Sequence, residues 1–314
     1  MGLCYPTKEK NTKYFHQGYI LERRINKNDD SELYFAIFVK GNKERMVRKV
    51  NKNILKGITF DYLMKIRDFT YSNTLAIPNY LLKIYNLYED NNSVYVITEK
   101  CTGGFLFDIL KNNDCINERL LSEWFYQIIT SLCFLEKNNI YHGNLNGYCI
   151  FFKDKNRKEI RLSLLSKNNK YDNIDQNGDL YGLFFIRSPQ EIKRLYHDKN
   201  NTWYVGVLLF FLLFGSYPFI SRNILKNYFK IVKNDIPFST LKIRHNLSKN
   251  IYDFLEKALE KNYGKRPSLT ELLNHPWITE RNNHSEDNII NSITRKSANN
   301  QICVLEKDIL KSVC

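Results

Sequence analysis

The stretch Tyr141-His142-Gly143-Asn144-Leu145-Asn146-Gly147-Tyr148-Cys149-Ile150-Phe151-Phe152 is the most informative part of the chain. His142, Asn144, Asn146 and Cys149 fall within eight residues, with no carboxylate and no lysine among them. None of these four side chains brings the carboxylate charge that a bound magnesium favours. Other groups with suitable chemistry are dispersed. Lys27, Arg48 and Lys49 are cations able to meet a phosphate, and Asp154 and Asp172 are carboxylates able to meet a metal; no spacing singles them out. The seven cysteines show no C-x-x-C pair, which argues against a zinc site or a disulfide framework and fits a reducing cytosol.

Strands and helices must position these groups. Tyr34–Val39 and Ser93–Thr98 are short runs of β-branched and aromatic residues, and predict strands. From Leu120 the spacing changes. Leu121, Trp124, Phe125, Ile128, Ile129, Leu132 and Leu135 recur at intervals of three and four, which marks an amphipathic helix. Further helices are predicted over Val205–Phe214, Ile251–Glu260 and Leu269–Leu273. A strand-rich front and a helix-rich back, joined near Cys101-Thr102-Gly103-Gly104, predict a two-lobed α+β architecture.

At 314 residues with 43% hydrophobic and 25% charged content, the chain is globular in composition. Its net charge of +14 is spread along the sequence without a dense basic block, so a solvated basic surface is expected and no nucleic-acid partner. Trp203–Phe214, the longest apolar run, is too short for a bilayer and predicts a helix buried on all sides. Met1-Gly2-Leu3-Cys4 resembles a dual acylation site, with Gly2 for myristate and Cys4 for palmitate, followed by Lys8, Lys10 and Lys13. Pro6 stands where that motif prefers Ser or Thr. A cytoplasmic protein, anchored to the inner leaflet through its N-terminus, is the corresponding expectation.

Several motifs together resemble the protein kinases, most closely the calcium-dependent protein kinases. His142 and Leu145 stand at framework positions of the H-R-D-L-x-x-x-N catalytic loop. Val96–Asp108 resembles the hinge T-E-x-C-x-G-G-E-L-F-D, with Thr98, Glu99 and Cys101 in place. Ser188-Pro189-Gln190-Glu191 resembles A-P-E, Trp203–Val207 resembles W-S-L-G-V, and Arg266-Pro267-Ser268 and His275–Ile278 resemble R-P-T and H-P-W-I. The resemblance implies a kinase-like domain over 19–278, with a β-rich N-lobe (19–100), a hinge (99–104) and a helical C-lobe (105–278). An N-terminal segment (1–18) precedes it and a junction-like tail (279–314) follows.

The same resemblance shows what has been replaced. The catalytic Asp position is Asn144, the Lys position is Asn146, and the metal-binding Asn position is Cys149. The Asp, Phe and Gly of D-F-G align with Leu164, Leu165 and Ser166. Asn26-Lys27-Asn28-Asp29-Asp30-Ser31 occupies the glycine-rich slot, where side chains obstruct the close approach of phosphate. Either Arg48 or Lys49 stands at the third-strand lysine; the register favours Arg48 and points Lys49 away. The helix glutamate that would pair with it falls near Leu63. Phe105 replaces the glutamate that follows the hinge, and Asn201 the central-helix aspartate. Glu191 and Arg266 resemble the structural ion pair of the large lobe, with either Pro189 or Gln190 in the Pro slot. No EF-hand loop is present. The implied function is a pseudokinase that needs no cofactor, expects no magnesium, and acts through proteins such as an active kinase or its substrate. The alternative is an atypical ATP-dependent serine/threonine kinase.

Overall fold

The computed structural model describes residues 13–15, 18–27, 31–54, 60–72, 78–111, 116–143, 145–164, 186–193, 195, 199–219, 224–233, 235–244 and 247–284. The chain divides into two compact units, the first made of residues up to 74 with 83–100, the second of 75–82 with 101–314.

The first unit is a six-stranded sheet in the order β1-β2-β3-β4-β6-β5. Its strands are β1 (Lys13–Phe15), β2 (Tyr19–Lys27), β3 (Ser31–Phe38), β4 (Lys43–Asn51), β5 (Ile84–Glu89) and β6 (Ser93–Thr98), all antiparallel to their neighbours. Side chains alternate between two faces. One face gathers Tyr19, Ala36, Val47, Tyr95 and Ile97, with Tyr34, Phe38, Tyr85 and Tyr88 packed against them. Across the other run Asn26, Leu33, Arg48 and Val96, each opposite the next. Helix α1 (Phe60–Ser72) packs along β5 and buries Leu63, Ile66 and Thr70.

The second unit is helical. It comprises α2 (Asp108–Lys111), α3 (Glu118–Lys137), a two-stranded sheet of β7 (Ile150–Phe152) and β8 (Ile160–Leu162), then α4 (Pro189–Ile192) and α5 (Asn200–Phe214). There follow α6 (Ile224–Lys233), α7 (Phe238–Arg244), α8 (Lys249–Ala258), α9 (Leu269–Leu273) and α10 (Pro276–Thr279). Helix α3 starts where Asn117 caps the Leu120 amide at 2.8 Å and presents the predicted stripe, with Leu121, Phe125, Ile128, Ile129, Leu132 and Leu135 fully buried. Every residue of α5 is buried, as its apolar composition requires, and Gly215 ends it in the left-handed conformation at φ 66°. Among the described residues no helix is long and apolar enough to cross a membrane.

The structure adds to the sequence reading at several elements. A strand, β1, lies within the segment expected to precede the domain. Helix α5 begins at Asn200, ahead of the predicted Val205. Residues 78–82, within the span 19–100 expected for the first lobe, are stitched to β8: Leu82 N–H donates to the Leu162 carbonyl at 2.9 Å, and Leu162 N–H to that of Tyr80 at 2.7 Å.

Candidate functional site

In the first unit, pairing of β2 with β3 continues to Asn26 opposite Leu33 and Lys27 opposite Glu32, leaving three residues to connect the strands. The Glu32 carboxylate accepts the Tyr34 hydroxyl and lies 3.5 Å from Lys27 Nζ and 3.9 Å from Arg24. That hydrogen bond, with Lys27 beside it, holds the carboxyl below the usual range. The base of this hairpin is thus fastened by a carboxylate, beside register shifts in the ladder on either side of Arg24. Asn28, Asp29 and Asp30 lie outside the described residues.

Arg48 and Lys49 part company here. Arg48 shares a face with Met46, Val96 and the buried Thr98, whereas Lys49 lies on the tyrosine face, opposite Glu32 and 5.9 Å from the Tyr95 ring. Leu63, at the expected glutamate position, is 1% exposed and apolar, so α1 offers no carboxylate there. Glu99 is tied to Lys83: its amide donates to the Lys83 carbonyl at 3.1 Å, and its carboxylate accepts the Lys83 amide at 2.9 Å.

In the second unit, the turn from Asn146 to Cys149 closes on itself. His142 is buried, and its Nε2 lies 3.1 Å from the Ser163 carbonyl; since that oxygen only accepts, Nε2 carries the hydrogen. Burial pushes the imidazole down to about 4. The Cys149 thiol donates to the Asn146 carbonyl at 2.9 Å, the Asn146 amide approaches the sulfur at 3.3 Å, and Asn146 Oδ1 accepts the Tyr148 amide at 2.8 Å. Ser163 N–H reaches back to the Cys149 carbonyl at 2.8 Å. The buried thiol is therefore engaged within its own turn. Half-buried Leu164, next to Ser163, contributes only hydrocarbon.

These two positions do not fit magnesium: one offers a hydrogen-bonded sulfur and the other no donor atom. Among the described residues no group of three or more His, Cys, Asp or Glu gathers to hold a metal. Asp154 lies in the exposed β7–β8 turn with Oδ1 accepting the Asn156 amide at 2.8 Å. Asp172, Asn144, Leu165 and Ser166, like Gly2, Cys4 and the tail from residue 285, fall outside the described residues.

Aromatic packing stands behind the loop. Tyr148 meets Phe107 at 5.2 Å and Phe105 at 5.8 Å between ring centroids, and Phe105 lies 4.6 Å from Phe151. A Cβ on Gly147 would sit 2.1 Å from the Phe107 ring, so the glycine is required by that ring. Buried Cys101 leads into Gly103, where a Cβ would stand 2.1 Å from the Asp154 carbonyl. Sequence reasoning missed the Gly147–Phe107 contact, which joins residues forty positions apart.

The expected Glu191–Arg266 ion pair is corrected by the geometry. Ser188 caps α4 and takes Glu191 into a capping box, with Glu191 Oε2 accepting the Ser188 amide at 3.0 Å and Oε1 accepting the Tyr204 hydroxyl. Pro189 occupies the first helical position, and Gln190 then faces Arg266. Gln190 Oε1 accepts from Arg266 Nη2 at 2.8 Å, while its Nε2 donates to the Lys261 carbonyl at 2.8 Å. Arg266 is fully buried, donates also to the Glu260 carbonyl at 2.7 Å, and lies 5.0 Å over the Trp203 ring. Burial lowers its guanidinium to about 10, only partly opposed by Glu191. Asn201, at the aspartate position, donates to Glu136 at 2.9 Å.

Residues 40–278 match the family described as protein kinase domain, and the chain belongs to that family. It is 27% identical over 237 residues to calcium-dependent protein kinase 6 of Plasmodium berghei (strain Anka), covering 74% of this chain and 15% of that protein. It is 26% identical over 278 residues to the mouse (Mus musculus) serine/threonine-protein kinase ULK3, covering 83% and 55%. It is 28% identical over 203 residues to the calcium and calcium/calmodulin-dependent serine/threonine-protein kinase of Lilium longiflorum, covering 64% and 39%. The chain thus spans between 15% and 55% of the length of these relatives. The two units are those of the kinase fold, one β-rich and one helical.

Proposed function

We propose that this protein is a pseudokinase, a kinase domain that serves as a scaffold or allosteric regulator in phosphorylation signalling and transfers no phosphoryl group. The observation that carries this reading is the pair Cys149 and Leu164. Phosphoryl transfer depends on positioned metal and charge stabilisation, and the two residues that would anchor metal are an internally bonded thiol and a hydrocarbon side chain. Asn144 and Asn146 at the Asp and Lys positions add to this. The packing residues of the same loop, His142 and Leu145, are retained and buried. That division favours a domain kept for its shape.

The partner class that follows is protein: an active kinase, or the substrate of one. Gly2 and Cys4 are proposed acylation sites, which would place the domain on the cytoplasmic face of a membrane.

Thermal stability with ATP, with and without Mg²⁺ or Mn²⁺, tests the reading beside a phosphotransfer assay. No metal-dependent stabilisation and no transfer are expected; metal-dependent stabilisation together with transfer would establish an atypical kinase instead. Membrane fractionation of wild type and Gly2→Ala tests the anchor, and identical soluble distributions would remove it.

A further inference from the structure

Strand β4 lies inside the sheet, and alternation sets Lys43, Arg45 and Lys49 on the same face as Val47. Tyrosines flank this row on both sides, Tyr34 opposite Val47 on β3, and Tyr85 and Tyr88 on β5. Lys43 is exposed, and Arg45 and Lys49 are half-buried. Glu32 and Asp90, which accept the Tyr34 and Tyr95 hydroxyls, are both held below the usual carboxyl range and interact with Lys49, so the three cations of the row outnumber these two carboxylates and the excess lies at Lys43 and Arg45.

We propose that this row is a docking surface for an extended acidic protein segment. The proposal rests on the reading of the chain as a module working through protein contacts, and it names the surface. Charge complementarity selects the occupant. Cations two residues apart on a strand repeat about every 7 Å, the spacing of alternate residues in an extended peptide. A segment with Asp or Glu at every second position can therefore face Lys43 and Arg45 in register, with a further acid reaching Lys49. Single-stranded nucleic acid fits less well, because stacking needs open ring faces. Tyr19 and Tyr95 are only 4% and 8% exposed, and the Arg45 guanidinium already covers Tyr85 at 3.9 Å.

The test uses the full chain and a fluorescein-labelled alternating Glu-Ser peptide, read by anisotropy at near-physiological salt. A Gln-Ser peptide and oligo-dT of similar length serve as comparisons. The triple variant K43Q/R45Q/K49Q should weaken Glu-Ser binding by about tenfold or more. The same charge change at exposed Lys137, Lys155 and Lys265 should alter it less than about twofold. Lys43→Gln alone, at an exposed site, should give a partial loss of about threefold and covers the case in which the triple variant fails to fold. Equal weakening by both triple variants, absence of Glu-Ser binding, or row-dependent binding of oligo-dT alone would overturn the proposal. Phosphotransfer by the wild type would instead sink the pseudokinase reading and leave the peptide result standing.

Discussion

Gln190 and Arg266 are joined by a 2.8 Å hydrogen bond in which a neutral amide holds a fully buried guanidinium. Glu191, one residue on, is turned to Ser188 and Tyr204. A buried cation without a bonded carboxylate depends on its full set of acceptors, here Gln190 and the carbonyls of Glu260 and Lys199.

Arg266→Ala should therefore destabilise the protein by about 2–5 kcal/mol, because it opens a buried cavity and strips Gln190 and the Glu260 carbonyl of their donor. Gln190→Ala should cost about 1–3 kcal/mol, because it strips both Arg266 and the Lys261 carbonyl of a partner. Glu191→Gln keeps one oxygen for the Ser188 amide and turns its NH2 toward the Tyr204 hydroxyl, which can accept as well as donate, so it should cost less than about 1 kcal/mol. Urea denaturation of the three variants gives the order.

The Gly147–Phe107 contact predicts a second effect. Gly147→Ala forces a methyl group into the Phe107 ring and should cost about 1–3 kcal/mol. Adding Phe107→Leu, which removes the obstructing ring edge, should recover part of that loss in thermal melts. Strictly additive losses would show that the ring is not the obstacle.

Stability should fall on acidification through His142. Its folded value, about 4, lies below the ordinary 6.5, because burial disfavours the imidazolium. The unfolded chain therefore takes up the proton first. The contribution of the neutral ring is complete above about pH 6.5 and is lost as pH drops toward 4, by up to about 3 kcal/mol. His275 is shifted in the same direction by its burial, opposed by Asp253, so wild type carries two such groups. The variant His142→Gln should show a shallower loss between pH 7 and 4.5 than wild type in denaturant titrations.

Restoring oxygen at the two anchor positions should restore a metal response. Cys149→Asn with Leu164→Asp is expected to melt lower than wild type without metal, since both sites are packed. With Mg²⁺ at about ten times its dissociation constant, the double variant should rise by about 3 °C or more, and wild type should not move.

Much of the fold was legible because its periodicities are strong: the stripe from Leu121 to Leu135 and the uniformly apolar Trp203–Phe214 leave little choice of structure. The substituted positions were legible in order, because His142, Arg266 and Trp277 bracket them with residues that fold alike. What stayed hidden was decided by geometry beyond sequence spacing. Gln190 and Glu191 are adjacent, and only the cap at Ser188 determines which of them turns to Arg266. Strand β1 is three residues long, too short for an alternation to register. Gly147 owes its identity to a ring forty positions earlier, a dependence no local pattern carries.

Strand β1 has a mechanical consequence. Lys13 pairs with Leu21 at the open end of the β1–β2 hairpin, and Phe15 with Tyr19 near its turn. Tension applied to the chain ahead of Lys13 would load those rungs one after another, unzipping them from the free end, the weaker way to break a ladder. Releasing residues 13–18 would yield about 20 Å of slack before any force reached β2. Under such a load the three rungs of β1 would give way while the five strands behind it kept their register.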